Sequence, residues 1–127
     1  MNHKTETENE HAEVVRKSLK PDGFIREDLR PGDCNLLHLA IGICGEAAEL
    51  ADAIKKHVIY RKPLDTANVI EELGDIEYFL EAIRQALDIH RMTTLGDNSR
   101  KILKRYPGLS YSNESAQLRR DKDGSHQ

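Results

Sequence analysis

The sequence predicts an all-α protein, a helical bundle organised around two long antiparallel helices. Three observations predict it. Apolar residues recur at helical spacing over residues 34–59 and again over 67–89. No stretch shows the apolar–polar alternation of a strand. Only a short basic, Pro-containing break, Arg61-Lys62-Pro63, separates the two long runs, and a short connection makes its helices antiparallel neighbours.

Residues 1–9 are polar and read as a disordered N-terminus. Val14, Val15 and Leu19 give a short helix over about 10–19, ended before Pro21. Residues 20–32 hold two Pro and two Gly and form a long connection, with one turn around Ile25–Leu29. Asp33 suits the N-cap of the first long helix. Leu36, Leu39, Ala40, Ile43, Ala47, Leu50, Ile54 and Val58 share one broad stripe of it. Gly42 and Gly45 interrupt that stripe, which implies either close approach of another helix or room for a ligand beside Glu46. Asp65 or Thr66 caps the second long helix, whose stripe is Val69, Leu73, Ile76, Leu80, Ile83 and Leu87. Leu95-Gly96-Asp97 reads as a break, followed by a last helix over 98–106 that Pro107-Gly108 stops. The helical domain thus spans 10–109, and the polar stretch 110–127 is an arm or tail.

With 127 residues, 38% of them apolar, 5% aromatic and no Trp, the chain is one domain with a thin core, of the kind that oligomerises. A net charge of -3 gives no support to binding of a nucleic-acid polymer or an anionic membrane. Cys34 and Cys44, ten residues apart on one helix, are separated by about 15 Å and cannot bridge. That suits a reducing, cytoplasmic setting. No apolar run of membrane-spanning length and no signal-peptide core is evident.

The chemistry lies in four acids. Glu46 and Glu49 sit three residues apart on the first long helix, and Glu72 and Asp75 repeat that spacing on the second. At about 100° per residue, each pair lies at the margin of its apolar stripe, whereas Glu77 and Glu81 fall on the far side. Carboxylates at i and i+3 have Cβ atoms about 5–6 Å apart, close enough to touch one ion. An all-oxygen set suits Mg²⁺ or Mn²⁺ better than zinc. The plainer reading is that Glu at this spacing is a soluble helix former, and one such pair alone would mean no more. On the last helix Asn98, Lys101 and Arg105 share a face, which suits either phosphate oxygens or a solvated basic helix end. On the Glu46 wheel Lys56 is better placed than Lys55, and His38 is near enough to the acid face to reach a base or phosphate.

Ile43-Cys44-Gly45-Glu46-Ala47-Ala48-Glu49, Ile54-Lys55-Lys56, Glu71-Glu72-Leu73-Gly74-Asp75 and Asn98-x-x-Lys101-x-x-x-Arg105-Tyr106-Pro107 together resemble the MazG-like nucleotide pyrophosphohydrolases, over about residues 10–115. The resemblance implies an all-α bundle that forms a homodimer or homotetramer, with Mg²⁺, or Mn²⁺ in its place, on Glu46, Glu49, Glu72 and Asp75. It implies hydrolysis of a nucleoside triphosphate to the monophosphate and pyrophosphate, as nucleotide-pool house-cleaning. Glu46 or Glu49 would be the catalytic base, and Asn98, Lys101, Arg105, Lys56 and His38 would bind substrate. The chain departs from the pattern after Asp75, where Phe79 rather than a hydroxyl-bearing ring points with the acids. Two alternatives stand beside this reading: a non-catalytic helical nucleotide-binding or interaction module, and an enzyme of the phosphoribosyl-ATP pyrophosphohydrolase type.

Overall fold

A computed structural model describes residues 5–122 of the chain, which form helices joined by loops, with no strand among them. They divide into two compact units, residues 1–34 and 35–127.

The first unit holds α1 (Glu6–Ser18) and α2 (Asp22–Asp28). Helix α1 starts within the stretch read as disordered. The reason is a capping box: Thr5 Oγ1 accepts from the Glu8 N–H at 3.3 Å, and Glu8 Oε2 accepts from the Thr5 N–H at 2.5 Å. Thr5-x-x-Glu8 was the signal in the sequence. Residues 1–4 of that expected disordered N-terminus lie outside the described residues. Pro21 stands at the N-cap of α2, where a missing N–H is harmless. The connection is tied by an ion pair between Lys20 and Asp28.

The second unit is carried by α3 (Asp33–Val58, whose first residues belong to the first unit) and α4 (Thr66–Ala86). Asp33 does not cap α3 forwards. Its carboxylate accepts from the Arg30 N–H at 2.7 Å and so closes the preceding turn. Asp65, not Thr66, caps α4 by accepting from the Asn68 N–H at 3.0 Å. Gly42 on α3 faces Phe79 on α4, whereas Asp52 and Lys56, further along α3, share a cleft with Asn68 and Glu72. Positions that rise along α3 meet positions that fall along α4, so the pair is antiparallel. At Gly42 a Cβ would run into the Phe79 ring, whereas Gly45 has open space. Of the two roles expected for these glycines, close helix approach therefore belongs to Gly42 and open room to Gly45.

The break between α4 and α5 (Arg91–Arg105) falls at 87–90, not at Leu95-Gly96-Asp97. Asp88 takes a left-handed φ of 52°, and the Ile89 N–H donates back to the Arg84 carbonyl at 2.8 Å, closing α4. Helix α5 runs through Gly96, since one interior glycine costs only about 1 kcal/mol relative to alanine. Part of the stretch read as a polar arm also folds, as α6 (Asn113–Leu118) and a 3₁₀ turn (Arg120–Lys122), and both pack on α5; residues 123–127 of that expected tail lie outside the described residues. Ser112 caps α6 by accepting from the Ser115 N–H at 3.0 Å.

Among the described residues only Leu39 and Ala53 are buried apolar side chains. Leu37 and Ile41 on α3 and Ile70 and Leu73 on α4 are exposed. Contrary to the sequence reading, α3 is long and apolar enough to cross a membrane by length and composition. A helix that packs into a larger assembly meets the same test.

Substituting Gly42→Ala is expected to destabilise the fold by about 1–3 kcal/mol through overpacking against Phe79. Gly45→Ala, with nothing in its way, is expected to stabilise it by about 0.5–1 kcal/mol. Urea denaturation of the two variants checks the contrast, and Phe79→Leu in the Gly42→Ala background should recover part of the loss.

Candidate metal centre

The α3–α4 seam places one carboxylate oxygen from each of Glu46, Glu72 and Asp75 within 4.8 Å of one another. Glu72 is buried, Glu46 half-buried and Asp75 exposed. Glu72 Oε2 is enclosed and has no hydrogen-bond partner. A buried carboxylate oxygen without a partner is a costly arrangement, and it is usual only where something else completes it. Burial pushes the Glu72 carboxyl above its ordinary value, and the negative charges of Glu49 and Glu46 push it in the same direction. The seam therefore favours adding positive charge, either a proton or a cation.

The donor set fits a small divalent cation. Octahedral oxygens around Mg²⁺ at about 2.1 Å stand about 3–4 Å from each other, so modest side-chain rotation brings these three oxygens into range. Glu72 would be the anchoring ligand, with Glu46 and Asp75 on either side.

Glu49, the fourth expected ligand, is exposed and lies outside the three-oxygen cluster. It lines the adjoining cleft of about 380 Å³ with Ala48, Asp52, Lys56, Asn68 and Glu72. Lys56 thus stands at the acid cleft as expected, and there it pairs with Asp52 at 2.8 Å. Lys55 also reaches Asp52, at 3.0 Å, and the two cations hold that carboxyl below its ordinary value, Lys56 contributing first. Asp52 and Asn68 escaped the sequence reading. The signals were there: Asp52 extends the Glu46–Glu49 spacing by three more residues, and Asn68 lies one turn before Glu72.

The remaining expected substrate contacts lie elsewhere. His38 is exposed and meets the Phe79 ring edge-on, with centroids 6.4 Å apart, two turns before Glu46. Asn98 and Lys101 do share a face, lining a hollow of about 640 Å³ with Ile89, Thr93, Thr94 and Asp97. Arg105 forks onto Asp121, donating from Nε and Nη2 at 2.8 Å each. None of the three lines the acid cleft.

Compared with models of protein families, with curated proteins and with solved structures, the chain matches none.

Because the folded state binds a proton at Glu72 more tightly than the unfolded chain does, that contribution to stability is present below pH 4.5, the ordinary glutamate value. It is lost as pH rises through the raised folded value. In EDTA, melting temperature should therefore fall as pH rises through that window, and Glu72→Gln should flatten the fall. Mg²⁺ should raise the melting temperature of the parent at neutral pH but not that of Glu72→Gln. Parallel slopes for the two proteins in EDTA would remove the buried-carboxylate account.

Proposed function

We propose that the chain is a Mg²⁺-dependent nucleoside triphosphate pyrophosphohydrolase, releasing a nucleoside monophosphate and pyrophosphate. The observation that carries this reading is the enclosed Glu72 Oε2, without a hydrogen-bond partner, on a carboxylate grouped with those of Glu46 and Asp75. The resemblance of the Glu46–Glu49, Glu72–Asp75 and Asn98–Arg105 motifs to the MazG-like enzymes supports it. So does the cleft beside the acids, which opens on Glu49 and Lys56.

In this reading Glu46, Glu72 and Asp75 hold the cation, which when bound supplies positive charge to phosphate oxygens and lowers the pKa of a water. Glu49, in the cleft yet outside the three-oxygen cluster, is the better placed of the two candidate bases. It takes a proton from the water that attacks the α-phosphorus. The bond from that phosphorus to the bridging oxygen breaks, and the electron pair leaves with pyrophosphate. Lys56, three residues from Ala53 and facing Asn68 across the cleft, offers a cation to phosphate oxygens once it leaves Asp52. The exposed apolar residues of α3 and α4 support assembly into a homodimer or homotetramer, and the setting we propose is cytoplasmic.

One observation favours the second reading, a non-catalytic nucleotide-binding or interaction module: Asn98, Lys101 and Arg105 do not line the acid cleft. Turnover separates the two. Each of the eight common nucleoside and deoxynucleoside triphosphates is incubated with the protein and Mg²⁺ or Mn²⁺, and pyrophosphate is measured. At least one should be hydrolysed. Glu49→Ala and Asp75→Ala should each lower that rate at least about 100-fold with helicity retained. Pyrophosphate release from none of the eight would favour the module, and full activity in both variants would refute the site.

A further inference from the structure

A second hollow adjoins the acid cleft. About 290 Å³ in volume, it is lined by Ala53 and Lys56 of α3, Lys62 and Pro63 of the connection, and Asp65 and Asn68 at the start of α4. Lys56 and Asn68 line the acid cleft too, so the two spaces share a wall. Beyond that wall, the chemistry proposed above makes no use of the hollow.

The backbone holds its lining in place. After α3 the chain turns back at Arg61, which takes a left-handed φ of 55°. The Lys62 N–H donates to the Lys56 carbonyl at 3.2 Å, and the Lys62 carbonyl accepts from His57 Nδ1 at 2.8 Å. Both backbone groups of Lys62 are thus tied to α3, and Lys62 and Pro63 are set beside the buried Ala53. Asp65 is fixed as the N-cap of α4, with Oδ1 accepting from the Asn68 N–H at 3.0 Å. Among the described residues, Asp65 Oδ2, the Lys62 ammonium and the Asn68 side-chain amide make no hydrogen bond or ion pair. The hollow therefore offers a carboxylate, a cation and an amide around the apolar surfaces of Ala53 and Pro63.

That set discriminates among nucleobases. A carboxylate only accepts, through two oxygens side by side. Guanine presents two adjacent donors, N1–H and the 2-amino group, and its O6 and N7 acceptors suit a lysine. Adenine and cytosine set one amino donor beside a ring acceptor, and uracil sets its one N–H between two carbonyls. Each of these would hold a carboxylate oxygen against an acceptor, with no bond to offset its lost water. The span agrees as well. Asp65 precedes Glu72 by two turns, about 10 Å along α4. A nucleotide covers a similar span from its α-phosphorus to the far edge of its base.

We propose that this hollow receives the guanine base of a nucleotide, with Asp65 reading the N1–H and 2-amino edge and Lys62 reading O6. That the nucleotide is a triphosphate substrate rests on the function proposed above; the choice of base rests on the hollow alone.

Calorimetry with the four ribonucleoside monophosphates tests the choice without turnover, in Mg²⁺ and again in EDTA. GMP should bind at least about tenfold more tightly than AMP, CMP or UMP. Asp65→Asn keeps a good N-cap, so α4 is retained. Its amide pairs one donor with one acceptor, which no longer fits guanine but fits xanthine, where a carbonyl replaces the 2-amino group. The variant should lose the preference for GMP and bind xanthosine monophosphate more tightly than GMP, an exchange that a purely structural Asp65 would not produce. Lys62→Met should weaken GMP more than AMP. Equal affinity for the four, tighter binding of CMP, or an unchanged preference in Asp65→Asn would overturn the proposal, as would no binding of GMP up to millimolar concentration. A guanine preference without turnover of any triphosphate would sustain this inference and remove the enzymatic reading. Turnover with no preference in binding would do the reverse.

Discussion

Repulsion among carboxylates in the α3–α4 seam is the constraint around which the second unit is arranged. Glu72 is buried, and the charges that raise its carboxyl most are those of Glu49 and Glu46. Helix pairing forces that proximity, because acids at i and i+3 on the margins of two apolar stripes are brought together whenever the stripes pack. Hydrophobic pairing and electrostatics are therefore opposed at this point. A proton on Glu72, or the cation proposed above, would reconcile them. Asp52, one step further along α3, meets no such opposition, because Lys55 and Lys56 already neutralise it.

The apolar surfaces make a related point. Among the described residues only two apolar side chains are buried, many of the stripe residues are half-buried, and large residues such as Leu37, Ile41 and Ile70 face outward. The long helices are better understood as one half of a core than as a finished one. The acid seam lies within a single chain, whereas much of the apolar surface of its walls stays exposed there.

Much of this was legible in the sequence. The all-helical class and the two long helices followed from periodicity, and the Glu46, Glu72 and Asp75 grouping followed from the wheel. The misreadings have identifiable causes. Composition marked residues 5–9 as disordered because it does not weigh the reciprocal bonds of Thr5 and Glu8. Gly96 was given the power to end a helix that its modest propensity cost does not carry. The docking of the C-terminal stretch was hidden because it depends on one long-range pair, Arg105 with Asp121, sixteen residues apart and in a segment with no apolar pattern. The same pair explains why a face correctly read on α5 does not offer its last member. A helical wheel gives the direction of a side chain and says nothing about what has arrived to meet it.

The contact between Gly42 and Phe79 reaches further than local packing. Gly42 precedes Glu46 by one turn, and Phe79 follows Asp75 by one turn. The ring resting on bare backbone is thus the spacer that sets how far apart α3 and α4 run where their acids face each other. Oxygen-to-metal distances differ by only about 0.3–0.5 Å between magnesium and calcium. A spacer of fixed thickness one turn from the carboxylates would, if the proposed cation binds there, act as a calliper for ionic radius, with the width of an aromatic ring rather than any charge setting the size of ion that fits.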